Sequence, residues 1–308
     1  MFVYGISSSF IVVLVAACCQ THLCEASAEE DQYAILSRLT REVFCPDRYA
    51  KITSGHTGCL PMTSGLKPDV QELILAAHNT VRRDVTPTAS NMQSMSWDQS
   101  IASLAQRWAE NCVWGHDANF KRTDNGRFSV GQNMAANSGD LDWNWAISDW
   151  AKEKNDYTYD GDNTGKVVGH YTQIVWAETS KVGCGYAKCG DRNHYVCNYG
   201  PAGNVGNQLP YAKGETCAEC PDRRTNGLCD CGGLVCLNGG TLDLKECKCT
   251  CKQPFHIQPN CALNCEGAVD PSYCATFYAG KCEVYSNVPY DCPNMCKWCP
   301  YADLKFLK

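Results

Sequence analysis

The chain lacks a membrane-length hydrophobic run, any block of basic residues, and an Asn-x-Ser/Thr sequon. The apolar run Phe10–Cys19 is about half the ~20 residues that a membrane-spanning helix needs. A polar segment and then Ala26-Ser27-Ala28 follow it, so residues 1–28 read as a secretory signal, although no Lys or Arg precedes the run. No later run approaches membrane length, and no transmembrane segment is expected. Lys and Arg number 27 against 33 Asp and Glu, a net charge of −6, or −5 once Glu25 leaves with the signal. Such a scattered, mildly acidic balance argues against nucleic acid and against electrostatic attachment to anionic lipid. Without a sequon no N-glycan is expected, and without an HExxH helix or a GxSxG turn the readiest hydrolase motifs are missing.

Cysteine is abundant. Of 24, three (Cys18, Cys19 and Cys24) fall in the signal, leaving 21, and 15 of those lie in the 83 residues from Cys217 to Cys299. That density is far above the ~8–10% that marks a disulfide scaffold. It implies an oxidising compartment and small modules stapled by bridges worth roughly 2–4 kcal/mol each. The leader, 29–66, holds Cys45 and Cys59, most simply paired with each other. Because 21 is odd, one thiol is left over. Cys220–Cys229 can close within the segment 213–230, which leaves Cys217 free, bonded to a second copy, or bonded to Cys24 if the signal is cut earlier.

Between leader and cysteine-rich region the pattern is that of a larger domain. Val70, Leu73, Ile74, Ala77 and Val81 share one helical face, and Trp97, Ile101, Leu104, Ala105, Trp108 and Cys112 repeat that spacing, as do Trp143, Ala146, Ile147 and Trp150. The segments Lys181–Cys189 and His194–Gly200 alternate as half-buried strands, with Val182, Cys184 and Tyr186, then Tyr195, Cys197 and Tyr199, on one face. Helices interleaved with a small, mostly antiparallel sheet predict an α+β layered domain over 67–212. On this reading His78 and the tryptophans 97, 108, 143 and 150 are core residues, and Tyr199 with Pro201–Asn204 builds a turn beside a cleft. Glu153 follows Trp150 by three residues on the apolar stripe, which directs its carboxylate inward, where it needs a partner such as a histidine.

Two segments, GHYTQIVWAETS at 169–180 and HYVCNYGPAGNV at 194–205, resemble the signature segments of the CAP superfamily, which includes the cysteine-rich secretory proteins. The resemblance implies a CAP-type α-β-α sandwich followed by small disulfide-rich modules. It also implies the bridges Cys112–Cys189 and Cys184–Cys197. A third family bridge would need cysteines at Val130 and Gly200, and both are absent. The C-terminal spacings resemble an EGF-like module at 231–262, implying Cys231–Cys247, Cys236–Cys249 and Cys251–Cys261. No acidic calcium signature precedes Cys231, so no calcium is expected. Residues 263–301 resemble a ShK-type module, implying Cys265–Cys299, Cys274–Cys292 and Cys282–Cys296, with a tail at 302–308. The Lys-Tyr pair of ShK-type channel blockers is missing from EVYSNVPYD, which carries only Tyr285 and Tyr290.

In CAP domains the resemblance points to a cleft of two histidines and two glutamates. Segment by segment these fall at His116, His170 and Glu153, while the second glutamate position holds Gln132. Two imidazoles, each with an acceptor on its second nitrogen, suit a weakly held divalent ion such as zinc, whereas catalytic zinc normally has three protein ligands and water. Weak metal binding, a structural polar cluster and a hydrolytic site with Glu153 as base are all open; Gln132 disfavours the last, and no cofactor is required. The whole order of segments resembles molluscan cysteine-rich secretory proteins, including those of cone-snail venom. It implies a secreted protein acting on an extracellular channel or receptor, with sterol or lipid binding as an alternative and a metal-dependent protease as a lesser one.

Overall fold

The computed structural model describes residues 65–117, 127–282, 284–285 and 288–299. The expected signal, the Cys45–Cys59 pair, Cys24 and the tail 302–308 lie outside the described residues. The chain divides into units 1–61 and 62–308, and all that follows belongs to the second.

Helix α1, Pro68–Arg83, starts on a proline whose missing N–H would be unpaired there anyway, and it buries Ile74, His78 and Arg82, four residues apart on one face. Helix α2 runs Gln99–Glu110, and the Asp98 carboxylate caps it by accepting from the backbone N–H of Ser100 and Ile101. Helix α3, Trp143–Lys152, is capped in the same way by Asp142, which accepts from Asn144 N–H, and it buries Trp143, Ala146, Ile147 and Trp150. A 3-10 turn, Glu153–Asn155, continues from α3, and the short α4 is Gly169–Ile174.

Four strands make the central sheet: β1 (Ser96–Trp97), β2 (Gly131–Asn137), β3 (Lys181–Cys189) and β4 (Arg192–Gly200), in the order β1-β3-β4-β2. Only β1 runs parallel to its neighbour. The period-two alternation puts Val182, Cys184, Tyr195, Cys197 and Tyr199 in a core with Ile74, Trp143, Trp150 and Ile174 of α1, α3 and α4. Met134, Ala187 and Val196 point the other way, onto Ala105, Trp108 and Ala109 of α2. Gly183 and Gly185 let α2 lie against β3: a Cβ at either position would overlap the backbone of Ala102 or Gln106. The result is the α-β-α sandwich expected from the sequence.

Four local features differ from the expectation. Trp97 lies on β1 and not on the helix that follows it, because the chain turns at Asp98 before α2 starts. Strand β2 was not foreseen, and neither was α4. Tyr199 lies within β4, as its alternation with Tyr195 and Cys197 predicts, and not in the turn that follows, and its side chain is fully buried.

Cys112–Cys189 joins the end of α2 to the end of β3, and Cys184–Cys197 links directly opposed residues of β3 and β4. Where the third family bridge would lie, the Phe128 ring covers Gly200 and fills the space a side chain there would need.

The segment after the sandwich does not swing free. Gly214 N–H donates to Thr88 O, Cys217 N–H to Ala89 O, Glu219 N–H to Ser90 O and Cys229 N–H to Met92 O, while Ser94 N–H donates back to Cys229 O. It carries the hairpin β5 (Arg224–Thr225) and β6 (Leu228–Cys229), closed by Cys220–Cys229. Beyond it, β7 (Thr241–Asp243) pairs with β8 (Lys248–Thr250), and β9 (His256–Ile257) with β10 (Ala262–Leu263). The bridges 231–247, 236–249 and 251–261 staple this region. The short helices α5 (Tyr273–Phe277) and α6 (Val288–Asp291) follow, held by 265–299, 274–292 and 282–296. The two stapled regions meet through a Lys252–Asp291 ion pair and a hydrogen bond from Gln253 Nε2 to Tyr273 Oη.

Candidate functional site

Glu153 leaves α3 with its carboxylate turned towards the start of α4. Its Oε1 lies 2.6 Å from His170 Nδ1, and its Oε2 accepts from the backbone N–H of His170 at 2.8 Å and of Tyr171 at 3.0 Å. The N-cap residue of α4, Val168, offers no side-chain acceptor, so a carboxylate from another element supplies the missing cap. The same carboxylate places the proton of neutral His170 on Nδ1, leaving the Nε2 lone pair free. Trp150 stacks near the ring at 6.3 Å between centroids, tilted by 20°.

The second pair is His116 and Gln132, with Nδ1 to Oε1 at 2.9 Å. Its polarity follows from a chain that starts in the core. Ile101 O, in α2, can only accept, so Asn198 presents Nδ2 to it at 3.2 Å and turns Oδ1 outward. Gln132 therefore gives Nε2 to Asn198 Oδ1 at 3.1 Å and keeps Oε1 for His116. Neutral His116 must then carry its proton on Nδ1. Among the described residues nothing bonds Nε2 of either histidine, so both rings are in the tautomer that a metal ion accepts.

The two pairs approach β2 at adjacent residues. Gln132 holds His116, and next to it Asn133 Nδ2 donates to His170 O at 3.0 Å. Asn133 Nδ2 also donates to Tyr199 Oη at 3.2 Å, and Tyr199 Oη lies 2.9 Å from His78 Nε2. Because His78 Nδ1 donates to Ile74 O at 2.8 Å, Nε2 must accept and the tyrosine hydroxyl must donate. Burial pushes His78 down to about 4, against its backbone hydrogen bond and with the help of the Arg82 charge, so it stays neutral at ordinary pH. Burial likewise drives the Tyr199 phenol well above its ordinary value, outweighing Asn133 and Arg82.

Arg82 is 1% exposed, and its guanidinium donates to four carbonyls, those of Gln93, Ile174, Trp176 and Ala177, at 2.7 to 3.1 Å. Burial lowers it to about 9, which leaves it charged at neutral pH. Three of the four carbonyls belong to the segment that begins with His170, so α1 fixes the end of α4 from below. Asn204 fixes the start: its Nδ2 donates to Gly169 O at 2.9 Å and its Oδ1 accepts from Thr172 Oγ1 at 2.7 Å. Sequence reasoning missed Arg82 and Asn133. The buried faces of α1 and β2 could have suggested them only once β2 was known to be a strand.

All four candidate residues therefore take part in two oriented pairs: His170 with Glu153, and His116 with Gln132. Among the described residues, the one set of three or more His, Cys, Asp or Glu donor atoms lying within 4.8 Å of one another is Cys217, Cys220 and Cys229. The donor chemistry at His116 and His170 fits an ion held through two imidazole Nε2 atoms, and it falls short of the three-ligand set of a catalytic zinc.

An α-β-α sandwich with two oriented histidines beside its edge strand β2, followed by disulfide-stapled modules, defines a CAP-domain protein. Residues 75–199 match the family model described as CAP, cysteine-rich secretory protein family. The chain is 35% identical over 277 residues to a cysteine-rich venom protein of Conus textile, covering 83% of this chain and 90% of that one. It is 34% identical over 284 residues to cysteine-rich venom protein Mr30 of Conus marmoreus, covering 85% and 93%. Among solved structures, NaASP2 with zinc superposes at a TM-score of 0.48 and 31% identity, covering 56% of this chain and all of that one. The chain belongs to the cysteine-rich secretory protein family.

Proposed function

We propose that this is a secreted protein that acts by binding an extracellular protein target, a channel or receptor, and that His116 and His170 hold a divalent ion weakly without running a hydrolytic reaction. The observation that carries this reading is the use already made of the polar groups. Both oxygens of Glu153 are spent on His170 and on the first N–H groups of α4. Gln132 is engaged at both ends and has no carboxylate to accept a proton. Neither Glu153 nor Gln132 is left free as a general base, which must stand within hydrogen-bond reach of the attacking water. Bound zinc would add a positive charge and hold a polar ligand group at the cleft. The residues themselves supply orientation through the two acceptors.

Secretion is supported by the venom and secretory relatives and by the density of disulfides. Among the described residues no helix is long and apolar enough to cross a membrane. For the alternative, sterol or lipid binding, one cavity of about 290 Å³ is lined by Tyr159, Trp176, Leu209 and Tyr211 together with Asn91 and Gln208. That is at the small end for a ligand pocket, and its lining is mixed.

The mature chain should take up zinc with micromolar or weaker affinity in a calorimetric titration and should cleave nothing in a peptide-library assay with added zinc. Turnover abolished by His170→Ala would overturn the reading. Voltage-clamp recording with the full chain on a channel panel, beside a sterol pull-down, separates the protein and lipid alternatives.

A further inference from the structure

We propose that Cys217, Cys220 and Cys229 form a thiol–disulfide exchange site in which one disulfide migrates among three sulfur atoms. Cys217 is a free thiol, Cys220 and Cys229 are bonded to each other, and all three Sγ atoms lie within 4.8 Å of one another. The three side chains are 2%, 0% and 0% exposed, so an external thiol or disulfide cannot reach the cluster while the internal disulfide sits beside the free sulfur. An intramolecular partner at that range has a high effective concentration.

The scaffold holds the cluster without relying on its disulfide. Backbone hydrogen bonds fix Cys217 to Ala89, Glu219 to Ser90, and Cys229 to both Met92 and Ser94. Cys220 N–H donates to Cys217 O, which keeps those two residues in one turn. Moving the disulfide therefore requires side-chain rotation and leaves the segment's attachment to residues 88–94 in place.

The step balances within the cluster. The Cys217 thiolate attacks Sγ of Cys220, a new Cys217–Cys220 bond forms and the Cys220–Cys229 bond breaks. The electron pair leaves on Cys229 Sγ, which takes up the proton that Cys217 released. Attack on Cys229 instead gives Cys217–Cys229 and frees Cys220. One disulfide and one thiol are present before and after, so no oxidant or reductant is consumed. Burial raises the Cys217 thiol above its ordinary range, with the Arg224 charge opposing, which makes the exchange slow compared with that of an exposed thiolate.

The test is a map of the free thiol. The folded full chain is incubated at neutral pH, quenched in acid, unfolded, alkylated and digested without reduction. The label should fall on Cys220 and Cys229 as well as Cys217, each minor isomer holding about a tenth or more of it if it lies within a factor of ten of the major one. Label confined to Cys217 after prolonged incubation overturns the proposal. A variant guards against a slow approach to equilibrium. In Cys220→Ser, Cys217 and Cys229 should pair, leaving no alkylatable thiol at either position, and two free thiols there in a chain whose other bridges are intact overturn it as well.

Discussion

Gln132 holds His116 by its carbonyl oxygen, 2.9 Å from Nδ1, because its amide nitrogen is committed to Asn198. The acceptor on this imidazole is therefore neutral, whereas the acceptor on His170 is a carboxylate. The two imidazoles are matched in tautomer, and their acceptors differ in charge.

Restoring the charge separates affinity from stability. In Gln132→Glu a carboxylate would orient His116, and zinc should bind about tenfold more tightly, the scale on which such outer partners act. The same change sets an oxygen against Asn198 Oδ1, and turning Asn198 round would strip Ile101 O of its donor, a cost of about 1–3 kcal/mol. Calorimetric titration and a thermal melt on the same protein check both halves. Unchanged zinc affinity would mean that His116 is not a ligand.

Arg82 tests how α4 is held. Its planar fork reaches four carbonyls from one buried position, and a lysine ammonium offers three donors from a single point. Arg82→Lys should cost about 3 kcal/mol or more, since it leaves a buried charge with buried carbonyls unmatched. At the usual scaling that lowers Tm by roughly 6–12 °C. A melt within about 2 °C of the parent would show that solvent or a rearranged loop replaces the fork.

Gly185 tests the seating of α2 on β3. A methyl group there would overlap the backbone of Ala105 and Gln106, which has no side-chain freedom to yield. Gly185→Ala should force the helix outwards and cost about 3 kcal/mol or more, at the upper end of what overpacking exacts. Gly190, with a positive φ and nothing near its Cβ position, is the control: Gly190→Asn, an amide residue that tolerates such a φ, should change the melt little. Equal losses in the two variants would argue against helix–sheet contact as the cause.

Much of this architecture was legible because burial writes a period into the sequence. Val70, Ile74, Ala77 and Val81 recur at helical spacing, and Tyr195, Cys197 and Tyr199 every two residues. Strand β2 left no such trace: GQNMAAN has no β-branched residue, and its extended form is imposed by the register with β4. Helix α4 was hidden for a related reason, since its cap comes from Glu153 and not from its own flank. The inward carboxylate of Glu153 was readable because a buried charge demands a partner. The carbonyl cage around Arg82 was not, because backbone acceptors are the same for every residue type.

His78 carries the pH dependence. An unfolded histidine titrates near 6.5, and this one is held at about 4 in the fold. Between those values the unfolded chain binds a proton that the native chain refuses, so stability falls as pH drops from about 6.5 towards 4. Above 6.5 both forms are neutral and the contribution is complete. The full excursion is about 3 kcal/mol by linkage. In His78→Gln the amide can still reach Tyr199 Oη, and the slope of stability between pH 6.5 and 4 should flatten while absolute stability drops through the altered contact with Ile74 O. Denaturant midpoints measured at half-unit intervals of pH would show this. Parallel curves for parent and variant would assign the acid sensitivity to other groups, such as the buried His194 or His256.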